Sequence, residues 1–344
     1  MKNQKLTLFR ILEILSDGAY HDGTRIGENL GISRAAIWKN IQKLQNYGVK
    51  INSVKNKGYA LQEPLVLLNK DSLLKALPQK NIKLDVFESL PSTQTYLKSI
   101  TSSSPYVCLA ERQTSGKGRL ERPWHSPFGE NIYLSLLYPF QKDISEISGL
   151  SLMISLSIVK TLNQLFKNIV FQLKWPNDIV VNQKKLGGVL IEMQAESYGL
   201  CTAIIGIGLN VNMISEDTLP FEWTSLRTLH KTHIDRNEIC HVLLKNLFED
   251  LTIFQEQGFN SFQKKWPLFD ALYDEPITLK IGKDTLSGIA KGINKMGHLL
   301  LEREDKTLST YAAGEASFIR PQNNLCNHSG QFIRRAKIWE ISRE

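Results

Sequence analysis

Cysteine is scarce in this chain of 344 residues, and its four copies form no Cys-x-x-Cys pair. They lie far apart, at Cys108, Cys201, Cys240 and Cys326. Such spacing disfavours a disulfide framework or a zinc site and predicts reduced thiols in a cytoplasmic protein. The seven histidines show no metal-ligand spacing, and we expect no resident metal.

Long apolar runs are also lacking. No uninterrupted run of about 18 apolar residues is present, and residues 1–12 are polar and carry lysine, so neither a membrane span nor a signal peptide is expected. The phosphate-loop spacing Gly-x-x-x-x-Gly-Lys-Ser/Thr and an obvious Ser/His nucleophile arrangement are missing too. These absences disfavour a P-loop nucleotidase and a triad hydrolase.

Positive charge is in excess, with 42 Lys and Arg against 34 Asp and Glu, a net +8. Such an excess indicates an anionic partner, which a nucleic acid, a nucleotide or an acidic protein would satisfy. Residues 1–63 hold ten of the basic residues against five acidic ones, a net +5. The length allows two or three domains, and the N-terminal one is the most basic.

Those first 63 residues carry the pattern of a small helical domain. Apolar residues recur at helical spacing over 6–15, and further helices are predicted over 24–30 and 34–47. Ser33 is placed to cap the third helix by accepting a backbone N–H. A basic turn at 55–58 between two short alternating runs predicts a hairpin. Together these elements predict a winged helix-turn-helix.

The free surface of this domain suits DNA, because long donors on the third helix can reach base edges and phosphates. Two lysines at the hairpin tip are placed to contact the adjacent backbone. The residues predicted to bind DNA are Ser33, Arg34, Trp38, Lys39, Gln42, Lys43, Lys55 and Lys57.

Three further segments follow. Residues 64–83, which open with Pro64, are interpreted as a linker. Residues 84–270 alternate strand-like and helical stretches, which predicts a mixed α/β catalytic domain. Residues 271–320 contain short strand-like runs split by glycines, which predicts a small β-barrel, and the polar tail 321–344 has no assigned role. The predicted fold class is therefore α+β, in several domains.

Three stretches of the catalytic region carry candidate chemistry. The first, 111–124, alternates glycine with basic residues from Gly116 to Arg119. Glycines let backbone N–H groups approach an anion closely, and the cations neutralise it. The second, Lys-Trp-Pro-Asn-Asp at 174–178, places a lysine at a strand end, with two more lysines soon after. The third, 205–212, has glycines that fit close backbone packing as readily as a ligand.

Together these stretches resemble the bifunctional biotin–protein ligases that also act as biotin operon repressors. The resemblance runs from about residue 5 to residue 320, with the motifs in order. It rests on Ser-Arg-Ala-Ala-Ile, Ser-Thr after Pro91, the Gly-x-Gly-Arg loop through Trp124, Ser-Pro-Phe-Gly, Lys-Trp-Pro-Asn-Asp, Lys-Leu-Gly-Gly and Ala-Gly-Glu. It implies a winged helix-turn-helix, a ligase domain of the class II synthetase/biotin ligase type, and an SH3-like β-barrel.

The resemblance also implies roles for individual residues. Those implied to bind biotin are Ser92, Thr93, Gln94, Gln113, Lys117, Gly118, Arg119 and Lys185. Those implied to bind the adenylate or ATP are Gly116, Trp124, Lys174, Asn177, Asn210 and Trp223. The cations implied to act in catalysis are Lys117, Arg119, Arg122 and Lys185.

The implied reaction uses biotin and ATP as substrates, with Mg²⁺ on the ATP. The biotin carboxylate attacks the α-phosphate, which gives biotinyl-5′-adenylate and pyrophosphate. A lysine of biotin carboxyl carrier protein then attacks the mixed anhydride and releases AMP. Two further partners are implied, namely operator DNA and a second copy of the chain, in a homodimer that forms when the adenylate is bound. No membrane partner is implied.

The chain departs from the usual family pattern at the basic loop and in the biotin pocket. The loop normally reads Gly-Arg-Gly-Arg, whereas here the first arginine is Lys117, which keeps the charge but loses the bidentate fork. Gln94 replaces the usual Asn, and Leu120 and Glu121 replace Arg and Gly. These changes predict slower or leakier adenylate formation with activity retained.

Three alternatives are compatible with the same sequence. The first keeps the enzyme but makes the N-terminal domain a structural cap. The second is a transcription factor whose ligase fold only senses biotin, and the retained Lys185 and basic loop disfavour it. The third is a ligase for lipoate or another acyl cofactor. The Lys-Trp-Pro-Asn-Asp motif with an appended winged helix favours biotin.

Overall fold

The computed structural model describes residues 2–195 and 201–319. Its N-terminal domain comprises α1 (Lys2–Leu15), α2 (Gly23–Leu30), α3 (Arg34–Asn46), β1 (Ile51–Val54) and β2 (Gly58–Leu61). Asp22 caps α2 and Ser33 caps α3, each by accepting a backbone N–H of the first turn. The two strands pair antiparallel, so the predicted helices and hairpin of a winged helix-turn-helix are confirmed.

The core of this domain is formed by one face of each helix and by the hairpin. Its buried apolar residues are Leu8, Ile11, Leu12, Leu15, Ile26, Ile37, Ile41, Leu44, Ile51 and Leu61. The hairpin is joined to the α1–α2 loop by two backbone hydrogen bonds of 2.9 Å between His21 and Tyr59. Gly58 makes this approach possible, because a Cβ there would lie 2.0 Å from the His21 carbonyl oxygen.

The segment predicted as a linker, 64–83, is packed against the molecule and contains helix α4 (Lys70–Leu74). Leu65 is buried in the N-terminal core, whereas Leu68 and Leu73 are buried in the catalytic core. The apolar residues after Pro64 therefore fasten both domains to one segment of chain.

A seven-stranded sheet forms the catalytic domain, in the order β3-β4-β5-β9-β8-β7-β6. Its strands are β3 (Lys83–Phe87), β4 (Tyr106–Ala110), β5 (Ile132–Phe140), β6 (Gln172–Lys174), β7 (Asp178–Val181), β8 (Lys184–Ala195) and β9 (Cys201–Leu209). Within the described residues, β3 and β4 pair parallel and the other neighbours antiparallel. The sequence pattern predicts all but β7, in which three consecutive residues are buried and no alternation marks a strand.

Helices cover the two faces of this sheet unequally. They are α5 (Thr93–Lys98), α6 (Leu150–Leu165), α7 (Leu226–His230), α8 (Arg236–Gln257) and α9 (Asn260–Gln263). Helices α6 and α8 pack on each other and form the main core with one face of the sheet. On the other face, Leu97 of α5 packs on Cys108, Leu137 and Ile204, which alternate with the core residues of their strands.

One segment of the described residues, which ends in helix α6, bears on the membrane expectation. The segment Ile144–Leu165 is long and apolar enough, by length and composition, to cross a membrane. Most side chains of α6 are nevertheless buried inside the protein, against α8 and the sheet. The apolar composition of this segment is therefore that of a core helix.

The C-terminal domain is a five-stranded antiparallel sheet in the order β13-β12-β11-β10-β14. Its strands are β10 (Pro276–Ile281), β11 (Asp284–Ile293), β12 (Leu299–Glu302), β13 (Leu308–Tyr311) and β14 (Glu315–Phe318). The sequence pattern predicts all but the last, which begins within Ala-Gly-Glu. Ile277, Leu279 and Leu301 are buried in the same core as the catalytic domain. The tail 321–344 lies outside the described residues.

Candidate functional site

The site residues gather on the sheet face that carries α5, where two glycines of β9 make room for large side chains. A Cβ at Gly206 would lie 2.5 Å from Gln94 Oε1, and one at Gly208 would lie 2.4 Å from the Trp124 indole. Both distances are shorter than real Cβ contacts, so these glycines allow Gln94 and Trp124 to lie directly on the sheet. The glycine pattern of 205–212 thus builds the floor of the site.

Thr93 is the centre of a polar network beside this floor. Its backbone N–H and its hydroxyl both donate to Gln113 Oε1, at 2.9 and 3.1 Å, and the hydroxyl lies 2.8 Å from Ser135 Oγ. Gln113 Nε2 donates to Ser126 Oγ at 3.2 Å. Ser92 caps α5 and thereby fixes the position of Thr93. The protein holds these groups in place by itself.

Gln94, which departs from the usual Asn, is buried and fully engaged. Its Nε2 donates to the Ile204 carbonyl at 2.9 Å, and Ser135 Oγ donates to its Oε1 at 3.2 Å. The longer side chain reaches across to the backbone of β9. Gln94 therefore helps to form the floor, with its amide already bonded to the protein.

The basic loop is closed at its base and strained at its tip. The backbone N–H of Trp124 donates to the Gly116 carbonyl at 2.8 Å, which closes the loop. At the tip, Leu120 and Glu121 have left-handed φ angles of 55° and 57°. This region costs roughly 1–2 kcal/mol for a residue other than glycine. Because the family usually has Gly at the position of Glu121, this departure adds strain to the loop.

Two of the predicted loop cations have partners within the protein. Lys117 is half exposed, and its ammonium pairs with Glu121 inside the loop. Arg119 is more buried, and its guanidinium donates to Asn177 Oδ1 at 3.2 Å and to the Gly314 carbonyl at 2.8 Å. Burial lowers the pKa of Arg119, although nearby carboxylates oppose this effect. Arg119 therefore bridges the loop, the β6–β7 turn and the C-terminal domain.

Arg122, the third loop cation, forms a bidentate ion pair with Glu315 at 2.7 and 2.8 Å. Paired N–H donors facing a carboxylate make the strongest form of this interaction. Since Gly314 accepts from Arg119, two neighbouring residues of the C-terminal domain hold the loop.

Lys185 lies at the centre of the site and is paired with a residue of the neighbouring strand. Its Nζ is 2.7 Å from Asp178 Oδ1. It also lies 5.4 Å from the Trp124 ring centroid and 5.5 Å from that of Phe221, distances typical of cation–π contacts. The Trp124 Nε1–H is buried and has no acceptor in the described part of the chain.

Lys174 is the least compensated cation of the site. Within residues 2–195 and 201–319, its ammonium has no hydrogen-bond or ion-pair partner. Burial lowers its pKa, Asp178 opposes this effect, and nearby Lys185 lowers the pKa further. An anionic ligand would stabilise the charged form of this half-buried lysine.

The remaining predicted nucleotide residues hold the walls of the site. Asn177 donates to a backbone carbonyl of β8 at 2.7 Å, and Asn210 donates to the Thr224 carbonyl at 3.1 Å. Trp223 Nε1 donates to the Glu216 carbonyl at 3.0 Å. The described residues contain no group of three His, Cys, Asp or Glu side chains suited to a metal.

Sequence reasoning missed four residues that shape the site: Asp178, Glu315, Ser135 and Phe221. Asp178 and Glu315 end motifs that were already notable, and the charge of each beside basic residues was a usable signal. Ser135 and Phe221 gave no sequence signal. The contact of Ser135 with Thr93 depends on strand pairing, and the contact of Phe221 with Lys185 depends on a loop far away in sequence.

The predicted DNA-binding side chains divide into two groups. Arg34, Trp38 and Lys39 are exposed on α3, and Lys55 and Lys57 are exposed at the hairpin tip. Lys43 differs from the expectation of a free surface residue, because its ammonium is held by Glu88 of the catalytic domain. The partner lies 45 residues away in sequence, so no local pattern indicated it.

The site thus combines a pocket floored by glycines with several cations. Three family models match the chain, one for each of its domains. Residues 86–210 match the biotin/lipoate A/B protein ligase family. Residues 7–60 match an HTH domain, and residues 273–319 match the biotin protein ligase C-terminal domain.

Two bifunctional ligase/repressors match this chain over about nine-tenths of its length. The chain is 36% identical to the bifunctional ligase/repressor BirA of Salmonella typhimurium over 89% of this chain and 96% of that protein. It is 35% identical to the bifunctional ligase/repressor BirA of Escherichia coli over 92% of this chain and 98% of that protein. The biotin protein ligase of Aquifex aeolicus, solved with biotin and ATP, is 31% identical with a TM-score of 0.61. It covers 70% of this chain and 99% of its own.

Proposed function

This chain belongs to the family of bifunctional biotin–protein ligases and repressors, and on that premise we propose how its site performs both activities. The biotin carboxylate attacks the α-phosphate of ATP, which gives biotinyl-5′-adenylate and releases pyrophosphate. The amine of a carrier-protein lysine then attacks the carbonyl carbon of the mixed anhydride and releases AMP. The loaded enzyme binds operator DNA and represses transcription.

One observation carries the ligase assignment, namely the cations beside the glycine-floored pocket. Lys185 and Lys174 reach the place where a carboxylate and a phosphate must meet, and Arg119 approaches from the loop. Two anions repel each other, so bringing them together requires positive charge fixed in advance. The reaction needs no protein nucleophile, because the biotin carboxylate itself attacks.

We assign the substrate positions from the two halves of the site. Biotin lies over the floor between Thr93, Gln94 and Gln113, with Gly118 and Lys117 of the loop above it and its carboxylate toward Lys185. The adenylate lies between the glycine loop from Gly116, Trp124 with its free indole N–H, and the wall residues Asn177, Asn210 and Trp223. Mg²⁺ enters with ATP as part of the substrate.

The basic loop protects the mixed anhydride from water. Its cations are held by Glu121 and Glu315 in this structure, so ligand binding exchanges protein carboxylates for ligand anions. A loop that orders over the adenylate excludes water and slows hydrolysis. The strain at Leu120 and Glu121, and the loss of the fork at Lys117, favour an adenylate that escapes more readily than in a ligase with the usual loop.

The partners we propose are biotin carboxyl carrier protein, operator DNA and a second copy of the chain. Adenylate binding favours the dimer, and the two DNA-binding domains of a dimer favour two operator half-sites. Carrier protein that lacks biotin consumes the adenylate and thereby weakens repression. The buried thiols Cys108, Cys201 and Cys240 support a reducing, cytoplasmic location.

We also propose the finer fold assignments and the domain limits of 1–63, 84–270 and 271–320. The mainly antiparallel catalytic sheet with its helical layer supports a class II synthetase type. The five short antiparallel strands of the C-terminal sheet support an SH3-like barrel.

The test of the ligase function is pyrophosphate release by purified protein with biotin, with lipoate, or with neither. We expect pyrophosphate release with biotin and none with lipoate or without either compound. When carrier protein is added, biotin should be transferred to it. Release with lipoate at an equal rate would favour the broader acyl-ligase alternative. No release with biotin would reject the ligase assignment.

A further inference from the structure

Half of the DNA-binding residues predicted on or beside α3 have partners inside the protein. Ser33 caps the helix, Gln42 donates to a neighbouring glutamine at 2.9 Å, and Lys43 is held by the catalytic domain. Of the six predicted residues, those that the described part of the chain leaves exposed and without hydrogen bonds, ion pairs or ring contacts are Arg34, Trp38 and Lys39. The first half of the helix is therefore the part free to read DNA.

Trp38 is the unusual member of this group. Its large apolar side chain is 54% exposed, whereas its neighbour Ile37 is fully buried, so the domain core does not need the indole. Among the described side chains of residues 7–63, the large exposed apolar residues are Tyr20, Trp38 and Val54. Tyr20 lies beside the hairpin, 5.9 Å from Lys57 Nζ, and Val54 lies within the hairpin. Exposed apolar surface is thus concentrated in the parts that carry the DNA-binding cations.

The spacing of Arg34 and Trp38 matches the spacing of base pairs. Four residues of α-helix place two side chains on one face, about 6 Å apart along the axis. That distance is close to two base-pair steps of about 3.4 Å. A recognition helix contacts base edges with its N-terminal residues, where Arg34 and Trp38 lie.

The chemistry of the major groove then assigns a base to each side chain. The guanidinium of Arg34 suits the two acceptors of guanine. The apolar ring of Trp38 has one apolar group to contact in the groove, which is the C5-methyl of thymine. Lys39, a flexible point charge, suits a phosphate.

We propose that Trp38 reads a thymine methyl group in each operator half-site, one or two base pairs from a guanine bound by Arg34. This assignment rests on the proposed repressor function and adds the base sequence that the recognition helix prefers. Lys39, Lys55 and Lys57 supply affinity that does not depend on sequence.

The test removes single methyl groups from the DNA. In an operator found by footprinting with biotin and ATP present, each thymine is replaced in turn by deoxyuridine, which lacks only the C5-methyl. We expect one position in each half-site to weaken binding about fourfold, the value of one buried methyl. Trp38→Ala removes the contact from both half-sites of the dimer, so it should weaken binding to normal DNA about sixteenfold, the product of two such factors, and respond to no deoxyuridine.

Two variants separate the methyl contact from an indole hydrogen bond and from a general loss of affinity. Trp38→Phe keeps an apolar ring and removes the indole N–H, so we expect it to retain the deoxyuridine response. Lys39→Met should bind every operator more weakly and keep the response as well. Equal losses of affinity at all thymines, or a deoxyuridine response that persists in Trp38→Ala, would overturn the thymine assignment but not the repressor function. A wild-type protein that binds no operator would overturn the repressor function with it.

Discussion

At the scale of single residues, the site cations differ in how readily they can accept a ligand. Lys185 is held by Asp178 and Arg122 by Glu315, so an anion that reaches either must replace a protein carboxylate. Lys174 is half-buried without such a partner in the described residues, so an incoming anion can pair with it without replacing a protein carboxylate. We therefore expect Lys174 to contribute most to nucleotide affinity and Lys185 most to the chemical step.

Replacing Lys185 by Gln should lower biotin-dependent pyrophosphate release by about 10²- to 10³-fold, the usual loss when one transition-state donor is removed. Lys184→Gln is the matched control, because Lys184 is the exposed neighbour on the same strand and its replacement should leave the rate unchanged. The measurement is the steady-state rate of pyrophosphate release for both variants. Equal rates for the two would mean that Lys185 does not act on the reacting carboxylate.

The lowered pKa of Lys174 predicts a pH effect on ATP binding. Burial disfavours its charged form, so Lys174 loses its proton at a lower pH than an exposed lysine does. The KM for ATP should therefore rise as the pH increases on the alkaline side of neutrality. Lys174→Arg keeps its charge throughout that range and should flatten this rise. Identical pH profiles for the two proteins would contradict the assignment.

At the scale of structural elements, one buried ion pair fastens the connector 64–83 to the catalytic domain. Arg236 and Glu111 are both fully buried, 2.6 Å apart. Arg236 also donates to the Val66 carbonyl at 2.8 Å, and Glu111 accepts the Leu68 N–H at 2.6 Å. The connector backbone is thus bonded to both members of the pair.

Arg236→Met should lower the free energy of unfolding by about 3–5 kcal/mol, because it leaves the Glu111 carboxylate buried without its counter-charge. Adding Glu111→Gln to the same chain removes that charge and should restore part of the loss. Urea unfolding of the single and double variants measures both effects. A single-variant loss below about 1 kcal/mol would show that the pair does not secure the connector.

Elements with strong local patterns could be predicted from the sequence. Helices α2 and α3 lie within one residue of the predicted limits, and α3 has the predicted cap, because both depend on periodicity and capping within one stretch. Strands β7 and β14 could not, since the consecutive buried residues of β7 show no alternation and β14 contains one residue, Phe318, that favours strands. The segment 64–83 resembles a linker by composition, and its packing depends on distant partners.

In the site too, local motifs could be predicted from the sequence and contacts between distant residues could not. The glycine loop and Lys-Trp-Pro-Asn-Asp were visible as local motifs, and the structure brings them together around Lys185. The partners of Lys43, Gln94 and Arg122 lie between 45 and 193 residues away in sequence. A single sequence gives no signal for contacts of that kind.

At the scale of the whole molecule, the C-terminal end of α3 contacts the catalytic domain close to the proposed biotin pocket. Glu88 accepts from Lys43 and from the Tyr47 hydroxyl, which lies 3.0 Å away. The Tyr47 ring stacks on Phe128 at 5.3 Å, and Arg112 lies 4.8 Å from the same ring. Glu88 is 4% exposed, so this is a buried polar contact between two domains.

Glu88→Gln should raise the KM for biotin about threefold to tenfold, because the segment from Glu88 leads directly to Thr93 and a charged hydrogen bond is lost. The KM for ATP should change less. Glu28→Gln is the control, since Glu28 is exposed on α2 and no contact links it to the site. The same KM for biotin in both variants would show that the domain contact does not position the pocket.

We propose that adenylate formation controls DNA binding, and a gel shift tests this coupling. The DNA is the promoter region of the biotin biosynthesis genes of the source organism, with biotin alone, ATP alone, or both present. We expect a shift that requires both ligands and disappears when carrier protein without biotin is added. A shift that is independent of the ligands, or no shift from a protein that still transfers biotin, would contradict the account.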